Sequence, residues 1–221
     1  MTVKIVSYSK ATDEFANEGV DDLQELIAFC AKVSNPSAQI NTETSERLIK
    51  YLIKHQHWSP LEMVNATLEI NTTRDIAHQI VRHRSFAFQE FSQRYADPAE
   101  FGDQFITREA RLQDPKNRQN SVEIDSEEDI HYEWASVQQG VIDKAKEAYD
   151  WAIRAGIAKE QARVVLPEGN TKTRLYMNGT LRSWVHYIEL RGANGTQKEH
   201  MDIAHACAKV IADIFPLMKD L

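Results

Sequence analysis

The spacing of apolar residues changes twice within one short part of the sequence, and this restricts the fold more than any other feature. Residues 61–70, LEMVNATLEI, alternate apolar and polar side chains as a half-buried strand does. Residues 72–84, TTRDIAHQIVRHR, follow helical spacing, and Phe86 and Phe88 return to a period of two. A strand, a helix and a second strand in such close succession predict a mixed α+β fold.

The rest of the chain continues this mixture. Further strands are predicted at residues 3–9, 105–112 and 172–179, and further helices at 21–34, 42–56, 126–155, 159–165, 180–191 and 197–215. Ser126 is a candidate N-cap for the long helix, whose acidic first turn suits the helix dipole. We find no repeat, low-complexity tract or linker. The sequence therefore predicts one α+β domain over residues 1–221, with a small, mostly antiparallel sheet flanked by helices, one of them long.

Positive charge is concentrated in one segment of an acidic chain. The formal net charge is −7, which argues against a broad nucleic-acid-binding or anionic-membrane surface. Residues 82–94 nevertheless hold three arginines, Arg82, Arg84 and Arg94, against one acid, Glu90. This concentration indicates a pocket for a small anion.

Several common motifs are absent. Without G-x-G-x-x-G or G-x-x-x-x-G-K, cationic side chains must hold any bound phosphate. The pair His55 and His57 lacks further spaced ligands, so we expect no metal site. Cys30 and Cys207 form no C-x-x-C pair, and we interpret both as buried free thiols. Because we find no leader pattern and no apolar run long enough to span a membrane, we expect a cytoplasmic protein.

The chemistry of the charged segment suits a nucleotide. Arginine donates two parallel hydrogen bonds to phosphate, and Gln79, on the same predicted helix face as Arg82, offers the donor and acceptor that complement a base edge such as uracil. Spacing alone leaves open an alternative without ligand binding, in which the arginines form weak surface ion pairs. Its members are Arg82, Arg84 and Arg94 with Asp75, Glu90 and Asp97.

A second set of polar residues lies downstream. These residues could belong to the same ligand site, or they could simply form the solvent-facing side of amphipathic helices. The set comprises Arg163, Arg182, His186 and Arg191. Ser92 lies between Glu90 and Arg94, and without a base beside it a hydrogen-bonding role is favoured over a nucleophilic one.

Residues 82–95, RHRSFAFQEFSQRY, resemble the signature of the flavin-dependent thymidylate synthases. That signature is RHR, two residues, Ser, about four variable residues, Ser, one residue and Arg. Ser92 and Arg94 are in register, whereas Ala87 replaces the first serine. The resemblance covers most of residues 45–200. Further ordered matches are His57, Ser59, Gln79, Arg163 and Arg191, with Thr180 where the family usually has asparagine.

The resemblance implies an FAD-dependent enzyme that methylates dUMP to dTMP, with methylenetetrahydrofolate as carbon donor and NADPH as reductant. Reduced flavin would supply the hydride, and no enzyme cysteine would attack the pyrimidine. The FAD contacts implied are Ser59, Arg82, His83, Arg84, Glu90, Thr180, Leu181, Arg182 and His186. The dUMP contacts implied are Gln79, Arg82, Glu90, Ser92, Gln93, Arg94, Arg163 and Arg191.

Two further roles follow from the same resemblance. Arg191 matches the family's catalytic arginine, which favours ionisation at N3 of the uracil, and His57 would border the folate or NADPH pocket. The resemblance also implies a homotetramer whose active sites combine several subunits. Two rivals stay open: a non-catalytic dUMP- or flavin-binding regulator, and an RNA-binding module, which the acidic total disfavours.

Overall fold

A four-stranded antiparallel sheet forms the centre of the computed structural model, which describes residues 1–102, 104–125 and 129–220. Its spatial order is β1, β2, β6, β3. The strands are β1 (Thr2–Tyr8), β2 (Asn65–Thr73), β3 (Phe86–Glu90) and β6 (Lys172–Thr180). A separate two-stranded sheet pairs β4 (Arg111–Gln113) with β5 (Ser121–Glu123). The prediction of a small antiparallel sheet within an α+β fold is confirmed.

Helices cover one face of the sheet because every second residue of the central strands is apolar. In β2, Leu68 and Ile70 are fully buried, and they pack with Trp184 and Ile203 from two helices. The helices are α1 (Asp13–Ala16), α2 (Leu23–Ala31), α3 (Ser45–Lys54), α4 (Arg74–Ile80), α5 (Asp129–Arg154), α6 (Lys159–Ala162), α7 (Leu181–Gly192) and α8 (Lys198–Ile211).

The predicted long helix is α5, whose apolar residues fall into two groups. Ile142 and Tyr149 are buried in a second core cluster with Phe105 from the loop before β4. Another set lies on the surface of this chain: Ile130, Trp134, Val137, Val141 and Trp151. The proposed cap Ser126 lies outside the described residues.

Several boundaries differ from the sequence prediction. The strand predicted at residues 61–70 is observed at Asn65–Thr73, after a 3-10 helix at Ser59–Glu62, and the last helix ends at Ile211, not near residue 215. The helix predicted over residues 72–84 ends at Ile80, so Gln79 and Arg82 do not share a helix face and Arg82 lies in the following turn. The strand predicted at residues 105–112 is wrong for most of its length. Phe105 forms one isolated bridge, and the ladder begins only at Arg111, because Arg108 instead pairs with Asp75.

Gly179 leaves room for the ring of Phe86 across the sheet. A Cβ at Gly179 would lie 2.3 Å from Cδ1 of Phe86, whose ring packs edge-on against Trp184. We expect Gly179→Ala to lower the free energy of unfolding by about 1–3 kcal/mol in a urea titration. Gly140→Ala on α5, where a Cβ meets nothing within 4 Å, is the matched control and should cost no stability. Equal stability of both variants would contradict the packing argument.

Across the described ranges, no helix has both the length and the apolar composition needed to cross a bilayer.

Candidate functional site

The RHR segment forms the turn between α4 and β3. The amide of Arg82 donates to the carbonyl of Gln79 at 3.3 Å, and that of His83 donates to Ile80 at 3.1 Å. The Arg82 and Arg84 side chains point to solvent, whereas His83 between them is half-buried. The turn therefore exposes two guanidinium groups and sends one imidazole inward.

The surface ion pairs considered for these arginines are not formed among the described residues, although Arg94 does form an exposed pair with another acid. Within residues 1–102, 104–125 and 129–220, neither Arg82 nor Arg84 forms an ion pair, and Arg94 pairs with a different partner, Glu160, at 3.2 Å. The proposed acidic partners are engaged elsewhere: Asp75 with Arg108, Glu90 with Arg74, and Asp97 as the cap of a short helix. Arg82 and Arg84 keep their hydrogen-bond donors available for a ligand.

His83 holds Arg191, which lies near the end of α7. Nε of Arg191 donates to Nε2 of His83 at 2.9 Å, so the imidazole is bare at Nε2 and carries its proton on Nδ1. Burial, and then the charge of Arg191, lower the pKa of His83 and keep it neutral. The two terminal amino groups of Arg191 remain free to donate to a ligand. The structure thus joins the predicted residues of α7 to the RHR turn.

Gln79 lies beside a buried histidine that the sequence analysis did not identify. Oε1 of Gln79 is 3.2 Å from Nδ1 of His200, and Nε2 of His200 is 3.1 Å from the Tyr187 hydroxyl. Both His200 and Tyr187 are almost completely buried. Burial, followed by the charge of Arg191 and by His83, lowers the pKa of His200 to about 3. His200 is therefore neutral in the folded protein at physiological pH.

The depressed pKa of His200 gives the folding free energy a pH dependence. An unfolded histidine takes up a proton below about pH 6.5, whereas folded His200 resists protonation until about pH 3, so acidification through this window favours the unfolded chain. One such group contributes a slope of up to about 1.4 kcal/mol per pH unit. In urea titrations between pH 6 and 4, His200→Gln should show a shallower slope than wild type. His55→Gln, at an exposed site, should keep the wild-type slope. Identical slopes for all three proteins would contradict the depressed pKa of His200.

A second group of predicted residues meets at the start of α7. Arg182 pairs with Glu62, a residue that the sequence analysis missed, and the ring of His186 lies edge-on to Trp58 with centroids 4.6 Å apart. Ser59 follows Trp58 in the chain, so α7 brings Ser59, Arg182 and His186 to one area. Nε of Arg182 is buried without a hydrogen-bond partner. A bound ligand with an acceptor would satisfy it.

Thr180 and Leu181 are largely committed to the fold itself. Oγ1 of Thr180 accepts from the amide of Ser183 at 3.2 Å and thereby caps α7. Leu181 is 1% exposed, and its amide donates to the carbonyl of Val64. As the first residue of α7, Leu181 also uses its carbonyl within the helix, so both of its backbone polar groups are committed to the fold. The side chain of Ala87 is exposed on β3, where the family signature has a serine.

The third group surrounds Arg94. Besides the ion pair of Arg94 with Glu160, Lys159 donates to the carbonyl of Tyr95 at 3.3 Å, so this segment lies against α6. Arg163 ends α6 and donates through Nε to the carbonyl of Glu160 at 3.3 Å, leaving its terminal amino groups available.

Two neighbours of Arg94 have separate environments. The Ser92 hydroxyl accepts from the amide of Arg94 at 3.4 Å, which is the hydrogen-bonding role expected for it. Gln93 is 3% exposed, and its Nε2 has no hydrogen-bond partner. Glu90, just upstream, accepts from Arg74 and from Thr173.

The three groups are not all joined within one chain. Among the described residues, no hydrogen bond or ion pair links Arg94 or Arg163 to the pair of His83 and Arg191. His57 is exposed and lies near the rings of Tyr51 and His55, with centroids 6.1 and 6.2 Å away. In the same described ranges, no three His, Cys, Asp or Glu side chains form a group able to hold a metal ion.

These features define a class of protein before any relative is considered. Unpaired guanidinium groups on a turn, beside a neutral histidine and an amide, suit an anionic ligand with a planar base. The buried donors without partners, Arg182 Nε and Gln93 Nε2, also fit a ligand such as FAD, whose pyrophosphate and ring system supply many acceptors. The fold and the chemistry of these side chains are those of an α+β protein suited to bind a nucleotide.

Comparison with known proteins gives the family. Residues 18–217 match the model of the family described as "Thymidylate synthase complementing protein", Thy1. The chain therefore belongs to this family. It is 49% identical over 216 residues to a "Probable flavin-dependent thymidylate synthase" of Paramecium bursaria Chlorella virus 1, covering 98% of this chain and 96% of that protein. It is 45% identical, with the same coverage, to a "Flavin-dependent thymidylate synthase" of Synechocystis sp..

A solved structure supports the fold. The chain superimposes on a UMP/dUMP methylase, PolB, from Streptomyces cacaoi bound with 5-Br dUMP, with a TM-score of 0.79 at 23% identity. The match covers 99% of this chain and 93% of that one. The α+β arrangement of this chain is therefore shared with an enzyme of solved structure.

Proposed function

We propose that this protein is a flavin-dependent thymidylate synthase, which methylates dUMP to dTMP with methylenetetrahydrofolate as carbon donor and NADPH as reductant. The observation that carries the proposal is the RHR turn. Its two exposed arginines have no acidic partner in the described part of the chain, and its histidine accepts a hydrogen bond from Arg191. Membership of the family and close identity to two relatives that bear this name support the same conclusion.

The chain offers two sets of groups for FAD. Arg82 and Arg84 supply unpaired guanidinium groups for phosphate, and the area of Ser59, Arg182 and His186 supplies a buried donor and two polar side chains. Bound FAD, once reduced by NADPH, supplies the hydride that completes the methyl group. We assign His83, Glu90, Thr180 and Leu181 to the border of this site, and His57 to the folate or NADPH pocket.

Arg191 and Gln79 act on the pyrimidine of dUMP in this proposal. The free amino groups of Arg191 donate to the uracil and stabilise negative charge at N3, while His83 fixes the direction of the guanidinium. A guanidinium about 4 Å from a developing charge is worth roughly 4 kcal/mol at an effective dielectric near 20. Arg82, Arg163 and the segment Glu90–Arg94 bind the remainder of the nucleotide.

No cysteine acts as the nucleophile. Cys207 is completely buried, whereas Cys30 is only half-buried, so the prediction of two buried thiols is wrong for Cys30. Both are free thiols, and burial raises the pKa of each. We expect the double variant Cys30→Ala, Cys207→Ala to retain dTMP formation within about threefold of wild type, the range expected for repacking without loss of a reacting group. Loss of turnover in Cys30→Ala alone, with an unchanged melting temperature, would contradict this.

We infer that the protein is a homotetramer with shared active sites. Val137 and Trp151 on α5 are 59% and 61% exposed in the single chain, and Leu190 beside Arg191 is 60% exposed. Apolar surface of this extent is typical of a subunit interface. The separation of Arg94 and Arg163 from Arg191 within one chain supports sites completed by another subunit. Light scattering should give four times the monomer mass, and a monomer that forms dTMP would refute the inference.

The purified protein provides the direct test of cofactor use. We expect flavin absorption bands that bleach with NADPH, together with dTMP when dUMP and methylenetetrahydrofolate are present. A non-catalytic regulator would bind flavin or dUMP without forming dTMP. We place the protein in the cytoplasm, where reducing conditions keep its two thiols free.

A further inference from the structure

A directional chain of hydrogen bonds passes through Gln79, and we call it the amide relay. It joins β4 to α7 by way of α8 and α4. Its members, in order, are Arg111, Glu199, Gln197, Gln79, His200 and Tyr187. Because Glu199, His200 and Tyr187 are buried, water does not replace these bonds easily.

The Glu199 end of the relay fixes the direction of two amides. A carboxylate only accepts, so Glu199 takes a hydrogen bond from Arg111 and another, at 2.9 Å, from Nε2 of Gln197. The oxygen of Gln197 must then face Gln79. It accepts from Nε2 of Gln79 at 2.8 Å, which leaves Oε1 of Gln79 facing His200.

The Tyr187 end is compatible with the same orientation. Neutral His200 has one protonated and one bare ring nitrogen, and burial raises the pKa of Tyr187, which therefore keeps its proton. If the phenol donates to Nε2, the proton of His200 lies on Nδ1 and is donated to Oε1 of Gln79. The Glu199 end thus sets the arrangement of the Gln79 amide, and the Tyr187 end agrees with it when the phenol is the donor.

We propose that the amide relay holds Gln79 in one orientation and thereby makes this side chain select uracil over cytosine. The proposal rests on the dUMP-binding role proposed above. An unrestrained glutamine rotates by 180° and exchanges its donor and acceptor, so it pairs with either base. Held by the relay, Gln79 has one N–H and one oxygen lone pair left for a ligand. At the edge formed by positions 3 and 4, neutral uracil presents O4 beside N3–H, whereas cytosine presents an amino group beside a bare N3. At that edge, one orientation of the amide suits only one base.

Two variants test the proposal at opposite ends of the relay. Glu199→Gln replaces the obligate acceptor with an amide, and Tyr187→Phe removes the donor to His200. We would measure dissociation constants of dUMP and dCMP for the FAD-loaded protein without folate, by calorimetry. The ratio of the dCMP constant to the dUMP constant should fall about tenfold in each variant, the equivalent of roughly one lost hydrogen bond to a buried group.

Glu109→Gln is the matched control for loss of charge. Glu109 lies 3.7 Å from Arg111 and bonds to Lys198, but it is outside the relay and largely exposed. In Glu109→Gln, the ratio of the dCMP to the dUMP dissociation constant should equal that of wild type. Unchanged ratios in both relay variants, with dUMP still bound, would overturn the proposal. A wild-type protein that binds no dUMP would instead refute the dUMP-binding role itself.

The tautomer of His200 gives a readout that does not depend on activity. In ¹⁵N spectra of histidine-labelled protein, assigned with His200→Gln, we expect a protonated Nδ1 and a bare Nε2. A proton on Nε2 would overturn the proposed direction of the relay, because Nδ1 would then accept from Gln79. A merely structural role for His200 would not require either tautomer.

Discussion

Replacement of Arg191 by alanine should leave FAD bound and reduce the rate of dTMP formation at least about a hundredfold. The reason is electrostatic: a guanidinium worth roughly 4 kcal/mol to a developing charge sets a ceiling near a thousandfold in rate, at 1.36 kcal/mol for each factor of ten. The hydrogen bond from Arg191 to neutral His83 aims the two free amino groups, so position as well as charge is lost. Flavin content and single-turnover kinetics at saturating dUMP measure the two effects separately.

Two further variants make this test specific to Arg191. Arg191→Lys keeps the charge but loses the planar fork and the Nε donor to His83, so it should recover only a small part of the rate. Arg154→Ala removes an exposed cation from the end of α5 and should leave the rate unchanged. Normal turnover in Arg191→Ala would refute its assigned role, and loss of FAD from that variant would move Arg191 to the cofactor site.

Replacement of Arg82 by alanine should weaken the binding of both FAD and dUMP. Its guanidinium is exposed on the turn and has no acidic partner among the described residues, so its donors are available to two neighbouring ligands. A hydrogen bond to a charged group contributes about 1.5–3 kcal/mol, which corresponds to roughly a 10- to 100-fold loss of affinity for each ligand. Calorimetry with FAD, and then with dUMP on FAD-saturated protein, gives both values.

The neighbouring arginine supplies the contrast. Arg84 has the same exposure on the same turn but is assigned to FAD alone, so Arg84→Ala should weaken FAD and leave dUMP affinity within about threefold, the range of ordinary surface substitutions. Unaltered dUMP affinity in Arg82→Ala would contradict the shared contact. Equal effects of both variants on dUMP would show that general positive charge, not position, matters.

The sequence predicted the sheet and the long helix, and its site residues stay a prediction. Period-two alternation in β2 and helical spacing in α7 are local signals, and they gave the right type of element. The bounds of β2 were wrong, because it begins at Asn65 and continues to Thr73. The end of α4 was read wrongly because helical spacing continues through Val81 and Arg82. There His83 turns inward to meet Tyr187 and Arg191, whose positions depend on the tertiary structure.

The amide relay had no sequence signal at all. His200 and Gln79 are 121 residues apart, and a histidine within an amphipathic helix looks the same whether it is a core residue or a partner of the site. The strand predicted at residues 105–112 failed for a related reason, since Arg108 is held by Asp75 rather than by a neighbouring strand. Glu62 was missed because its partner Arg182 is also distant in the chain.

Product formation by the purified protein tests the proposed activity most directly. The protein, loaded with FAD, would be mixed with dUMP, methylenetetrahydrofolate and NADPH, and dTMP would be quantified by mass spectrometry. We predict dTMP in proportion to NADPH consumed in both wild type and the cysteine-free variant. NADPH oxidation by a flavin-loaded protein that binds dUMP but forms no dTMP would contradict the proposed function and favour a non-catalytic regulator.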